Sequence, residues 1–369
     1  MVAVAAVACQ AAGSVPSSVP AGGSTSPDPS ETFATPAAIP KGLILFHRLE
    51  DDEVEHYFTI RTDGTDERAL FTLQGCGCAR WSPAGDHVWT MGATGHGTYS
   101  FMTMRPDGRD AVVMAPPIRT LNLGPAAPSA NGDWIAFDGW DETDPARNGL
   151  YLGSPDLRDL RLVMTNPEGT IRNEPFGVTA DGSRVLVFAE TGRVGGIAHA
   201  GKLLAVETKG GASRQLNPVG TVHGWTGVAG GSLSPDGRQV AFAVDNAVFV
   251  SDIDGGEATR ITDQGAFVSA VSWSPTGDWI VYTRHEEAGS LIALVSPDGN
   301  VQTAITSNEG SDEAAGATWS PEGDLLLVER TVDGSSDLWI MDLEGTYVSR
   351  VTHEAAAYRM FTWAPLSGS

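Results

Sequence analysis

Apolar residues in this chain fall in short unbroken runs, such as Trp279-Ile280-Val281-Tyr282 and Val240-Ala241-Phe242-Ala243, with no clean alternation of apolar and polar positions. Such runs predict strands covered on both faces, as in a sheet sandwiched between two neighbours. Each run follows one recurring phrase: ARWSPAGDHVW, PAAPSANGDWIAF, FGVTADGSRVLVF, GSLSPDGRQVAF, VSWSPTGDWIVY, ATWSPEGDLLLV and FTWAPLSGS. The aligned positions are Ser82, Ser129, Thr179, Ser234, Ser274, Ser320 and Ala364, at intervals of 47, 50, 55, 40, 46 and 44. A period of this length accommodates a unit of about four strands. In Ser-Pro-x-Gly the hydroxyl starts a turn, the proline ring fixes φ, and the glycine tolerates positive φ, so the phrase predicts a hairpin corner.

A second ladder interleaves with the first. Its aligned positions are Asp63, Asp107, Asp156, Lys209, Asp254, Asp298 and Glu344, mostly followed by glycine. Asp-Gly between apolar runs is a strong hairpin signal, which places this ladder between the third and fourth strands of each unit. The last repeat supplies one strand, Met360 to Trp363, and its partners are expected at Leu43 to His47, Tyr57 to Arg61 and Ala69 to Leu73. The pattern therefore predicts an all-β fold: a seven-bladed β-propeller of four-stranded antiparallel blades, the ring closed by strands from both termini.

Composition agrees with many short strands, with 44 glycines and 22 prolines placed between apolar runs. The formal net charge of −23 opposes binding to nucleic acid or to anionic lipid surfaces. Residues 1–9 read as a signal-peptide segment in which Ala6-Val7-Ala8-Cys9 resembles a lipobox, making Cys9 the candidate lipid attachment. Residues 10–41, rich in Ala, Pro, Ser and Gly, read as a disordered tether, and 42–369 as the propeller. Export is expected, to the periplasm or the cell surface, with membrane association only through that anchor.

The W-S-P-x-G corner with its downstream apolar strand resembles the repeat of the TolB-like, WD-like (PD40-type) propellers, also seen in tricorn-protease and prolyl-oligopeptidase propellers. The resemblance covers roughly residues 42–365. It implies the propeller fold and, without the α/β-hydrolase domain of the peptidase relatives, a binding role. The chain departs from TolB itself in repeat number and in what precedes the first repeat, so no contact residues are carried over.

In an up-and-down blade both turn ladders fall on one face, and the blade crossovers fall on the other with the hairpins joining second and third strands. The second face carries the longer loops, 49–56, 92–99, 138–149 and 190–202. Crossovers reach the central axis where each innermost strand starts. This places Cys76, Cys78, Arg172, Glu174, His223, Trp225, Phe267, Asp312, Tyr358 and Arg359 around the channel mouth, a mixture suited to a protein, peptide or envelope glycan. The sequence contains no Gly-x-Ser-x-Gly elbow, His-Glu-x-x-His, phosphate loop or dinucleotide fingerprint. Its eight histidines lack metal-ligand spacing, and the acidic runs 50–53 and 141–144 follow no calcium-loop pattern. The expectation is a monomeric, non-catalytic binding platform without cofactor or metal. The alternative is a channel-centred enzyme of the metal-dependent lyase or hydrolase type, which would require three or more of His223, His353, Glu174, Asp312 and the Cys76/Cys78 pair to converge on one point.

Overall fold

The computed structural model describes residues 41–49, 55–73, 79–94, 98–124, 126–168, 170–194, 198–217, 222–224, 231–244, 246–307, 312–354 and 356–365. Among the described residues the strands form seven antiparallel sheets, ordered around a ring as a seven-bladed β-propeller. The innermost strands of blades 1 to 7 are Arg80–Trp81, Leu121–Leu123 with Ala127–Pro128, Arg172–Val178, Gly231–Leu233, Phe267–Trp273, Asp312–Trp319 and Ala357–Trp363. Blade 7 joins both chain ends: Leu43–Leu49 pairs with Ala357–Trp363, setting Ile44 opposite Trp363 and His47 opposite Arg359. No described helix is long and apolar enough to cross a membrane.

The repeated phrase makes the same corner in six blades. The Ser82 carbonyl accepts from Gly85 N at 2.8 Å, and its hydroxyl accepts from His87 N at 3.1 Å. Ser129, Thr179, Ser234, Ser274 and Ser320 repeat both bonds, and the glycine φ stays between 66° and 82° throughout. Each hydroxyl thus satisfies an amide that the turn leaves without a strand partner. At the seventh corner Ala364 has no hydroxyl, and its N–H instead donates to the Leu43 carbonyl at 2.8 Å. The outer ladder forms turns in which the carboxylates of Asp63, Asp107, Asp156 and Asp298 accept from the amide two residues on, at 3.0 to 3.1 Å.

The core lies between blades, which is why the second strands read as continuous apolar runs. Ala241, Val248 and Val250 of blade 4 pack with Val268, Trp273 and Tyr282 of blade 5, and every other blade junction is filled in the same manner. The corner tryptophans stitch neighbours together: Trp81 Nε1 donates to the Thr362 carbonyl and Trp319 Nε1 to the Ser272 carbonyl, each at 3.2 Å. Three residues before the tryptophan, the inner strands of blades 5, 6 and 7 each contain a β-bulge with positive φ, at Ala270, Gly316 and Met360.

One stretch expected as a loop is sheet. Within 190–202, strands Arg184–Val194 and Ala198–Glu207 continue past the blade as a hairpin, and Val222–Gly224 pairs alongside the second of them.

Candidate functional site

Innermost strands begin at the crossover end of the ring, and among the described residues blade 3 places a cluster of charges there. Arg172, first residue of its strand, donates Nε to Glu190 at 2.8 Å and bridges Glu174 at 3.1 Å. The next residue, Asn173, is fully buried, and its amide donates to Asp138 of blade 2 at 3.1 Å. Burial pushes the Asp138 carboxyl up to about 7, with Glu174 and Glu190 adding to the effect and Arg172 opposing it. Arg80 of blade 1 also feels Glu174, and burial lowers its guanidinium. Arg172 and Glu174 were candidates from the sequence; Asp138 and Glu190, which the structure joins to them, were not. The available signal was an acidic residue closing an apolar run, as in Ile135-Ala136-Phe137-Asp138.

Phe267 opens the inner strand of blade 5, 41% exposed, with its ring 5.3 Å from that of His285. Asp312 opens that of blade 6 and is held by a two-pronged bond from Arg330, at 3.0 and 2.7 Å. The Arg330 guanidinium lies 4.0 Å over the Tyr347 ring, and burial pushes the Tyr347 hydroxyl up to about 12.

One expected mouth residue lies in the core instead. Tyr358 is 2% exposed and packs on Phe46 with ring centroids 5.7 Å apart, while its hydroxyl donates to the Glu354 carbonyl. Its apolar ring fills the junction between blades 6 and 7, so it is a core residue. His223 belongs to the strand Val222–Gly224, which pairs with the blade 3 hairpin and sets it opposite Ala200. His353 lies outward, 3.5 Å from where a Cβ on Gly64 would stand. Arg359 sits in the closing strand opposite His47. Cys9, Cys76, Cys78 and Trp225 lie outside the described residues.

The acidic stretch at 141–144 is an internally bonded cap. Asp141 accepts from Thr143 N and Oγ1, Asp144 N, Thr120 Oγ1 and Arg147, and these bonds, led by Thr143, hold its carboxyl well below the usual range. Among the described residues no three His, Cys, Asp or Glu side chains form a metal-binding group. A depression of about 420 Å³ between blades 3 and 4, lined by Arg184, Glu207, Arg214 and Asp254, sits on the turn-bearing side. Both of its arginines engage Asp254.

The exposed large apolar side chains are unevenly distributed. Of the six among the described residues, Ile171 and Phe267 stand at starts of inner strands, and Tyr99 and Val332 stand at hairpins between second and third strands. These four belong by topology to the crossover face. Val112 and Val301 belong to outer strands or the turns leading into them.

Comparisons with known proteins agree with this geometry. The family model of the TolB beta propeller domain (PD40) matches residues 93–367. No curated protein matches the chain in sequence. Among solved structures, oligogalacturonate lyase in complex with manganese is similar at TM-score 0.54 and 14% identity, covering 85% of this chain and 86% of that one. A Mycobacterium tuberculosis puromycin-hydrolyzing peptidase is similar at TM-score 0.52 and 16% identity, covering 72% of this chain and 45% of that one. TolB from Acinetobacter baumannii gives TM-score 0.47 and 15% identity, covering 87% and 81%.

Proposed function

Because the chain belongs to the TolB β-propeller domain family, we propose that it is an exported binding platform whose crossover face receives a protein, peptide or envelope component. The observation that carries this reading is that four of the six exposed large apolar side chains among the described residues, Tyr99, Ile171, Phe267 and Val332, belong to one face in a chain of net charge −23. Solvent-facing apolar side chains on one face support recognition, since burying them against a partner is the favourable term in association. A propeller holds such residues on a rigid frame, so little ordering cost accompanies binding.

The metal-dependent enzyme reading has less support: Glu174 and Asp312 are each paired with an arginine, and His353 lies beside the outer turn at Gly64. The fold itself serves both binding and catalysis and decides nothing here. In the same proposal residues 1–9 direct export, Cys9 carries a lipid, and 10–41 tether the propeller to the membrane surface.

The test is a paired retention experiment with envelope extract. Phe267→Ser with Ile171→Ser should abolish capture of whichever component the native protein retains, and Val301→Ser on an outer blade edge should not. Equal capture by all three proteins refutes the assignment of the face.

A further inference from the structure

Blade 5 carries a serine–imidazole pair that the binding role does not use. Its origin is legible in the strand register. Phe267 stands opposite His285, His285 opposite Ser290, and Ser269 opposite Thr283. Paired residues share a sheet face and alternate residues return to it, so these five side chains project from one side of the blade. That side meets blade 6, where Glu313 accepts from Ser290 N at 2.9 Å and Gly316 N donates to Thr283 Oγ1 at 3.0 Å.

On this face the Ser269 hydroxyl is 2.8 Å from His285 Nε2, and the Ser290 hydroxyl is 2.9 Å from Nδ1. With Nδ1–H donated to Ser290, Nε2 is left to accept the Ser269 proton. Ser269, His285 and Ser290 are half-buried, and the adjoining Phe267 ring is exposed. Ala270, directly after the serine, has φ 52°, and register with the second strand is lost between Ser269 and Ser272. The bulges of blades 6 and 7 follow Ala315 and Arg359 instead. Blade 5 is the one of these three whose bulge follows a serine facing an imidazole.

We propose that Ser269 is a nucleophile and His285 its general base, forming a site for hydrolysis of small acyl esters whose acyl group rests on Phe267. Ser269 Oγ bonds to the carbonyl carbon as its proton passes to Nε2; the carbon–oxygen bond to the alcohol breaks, and the alcohol leaves with that proton. Water then attacks the acyl-serine, its proton passes to Nε2, and the acid departs as Ser269 Oγ is reprotonated. The Glu313 carboxylate, anchored on the Ser290 amide, favours the imidazolium formed between these transfers. Burial lowers the His285 pKa, which keeps the free imidazole neutral near pH 7 and able to act as a base. This activity goes beyond the binding role and does not depend on it.

The experiment treats the full chain with a fluorophosphonate probe and locates the adduct by peptide mass spectrometry, alongside turnover of p-nitrophenyl acetate. The expected result is one adduct, on Ser269, lost in Ser269→Ala and formed on the order of a hundredfold more slowly in His285→Gln. The native labelling rate should rise with pH through a midpoint below that of ordinary histidine. The glutamine can still bond both serines, so an unchanged melting temperature in that variant separates chemistry from folding. Absence of an adduct on Ser269, or labelling unaffected by His285→Gln, overturns the proposal.

Discussion

Asp138 is a carboxyl placed where apolar strands meet, held by one amide from the next blade and faced by Glu174 and Glu190. Its pKa in the folded protein, about 7, stands above the ordinary 3.8, so the folded chain takes up this proton more readily than the unfolded chain. The associated stability is fully present below about pH 4 and is lost as pH rises through 7. The three-unit rise sets an upper bound of about 4 kcal/mol on that loss. Asp138→Asn keeps an oxygen for the Asn173 amide and removes the titration. The variant should therefore melt several degrees higher than the native protein at pH 8 and within a degree or so of it at pH 4, as calorimetry at the two pH values can check. Little of this was legible in the sequence. An acidic residue ending an apolar run is visible, but its partner lies 35 positions away and its charged neighbours come from another blade.

At the scale of elements the sequence was most informative where both partners of a bond lie close together. The corner hydroxyl and the amide it serves are five residues apart, so one repeated phrase specifies the same turn six times. Ser274→Ala leaves Trp279 N without its acceptor and should cost about 1 kcal/mol in urea denaturation. The reverse change, Ala364→Ser, should shift stability by no more than about 0.5 kcal/mol, because at that corner the backbone N–H already pairs with the Leu43 carbonyl. The hairpin at 190–202 was misread as a loop for the complementary reason. Its glycines look like loop residues, and the strand that flanks it comes from 222–224, inside what read as a crossover.

For the molecule as a whole, blade number and ring closure followed from the phase of the two ladders at the chain ends. Closure places the fully buried Ile44 between strands from opposite termini. A carboxylate there would sit unpaired in the core of blade 7. Ile44→Asp should cost about 3 kcal/mol or more and lower the midpoint of chemical denaturation, whereas the same change at the exposed Val301 should be nearly silent. Loop length marked the crossover face as the candidate binding side, but which residues reach solvent there was not legible. Whether an inner-strand start faces solvent or a neighbouring blade depends on bulges and side-chain packing that a single repeat does not encode, as Tyr358 and Phe267 show. The closing bond from Ala364 to Leu43, with Pro365 against Gly85, also sets where the chain leaves the body. Residues 41 and 42 emerge beside the corner turns, at the opposite end of the axis from Phe267 and Ile171. A support joined ahead of residue 41 therefore connects at the corner-turn end of the axis, while the exposed side chains of Phe267 and Ile171 lie at the other end.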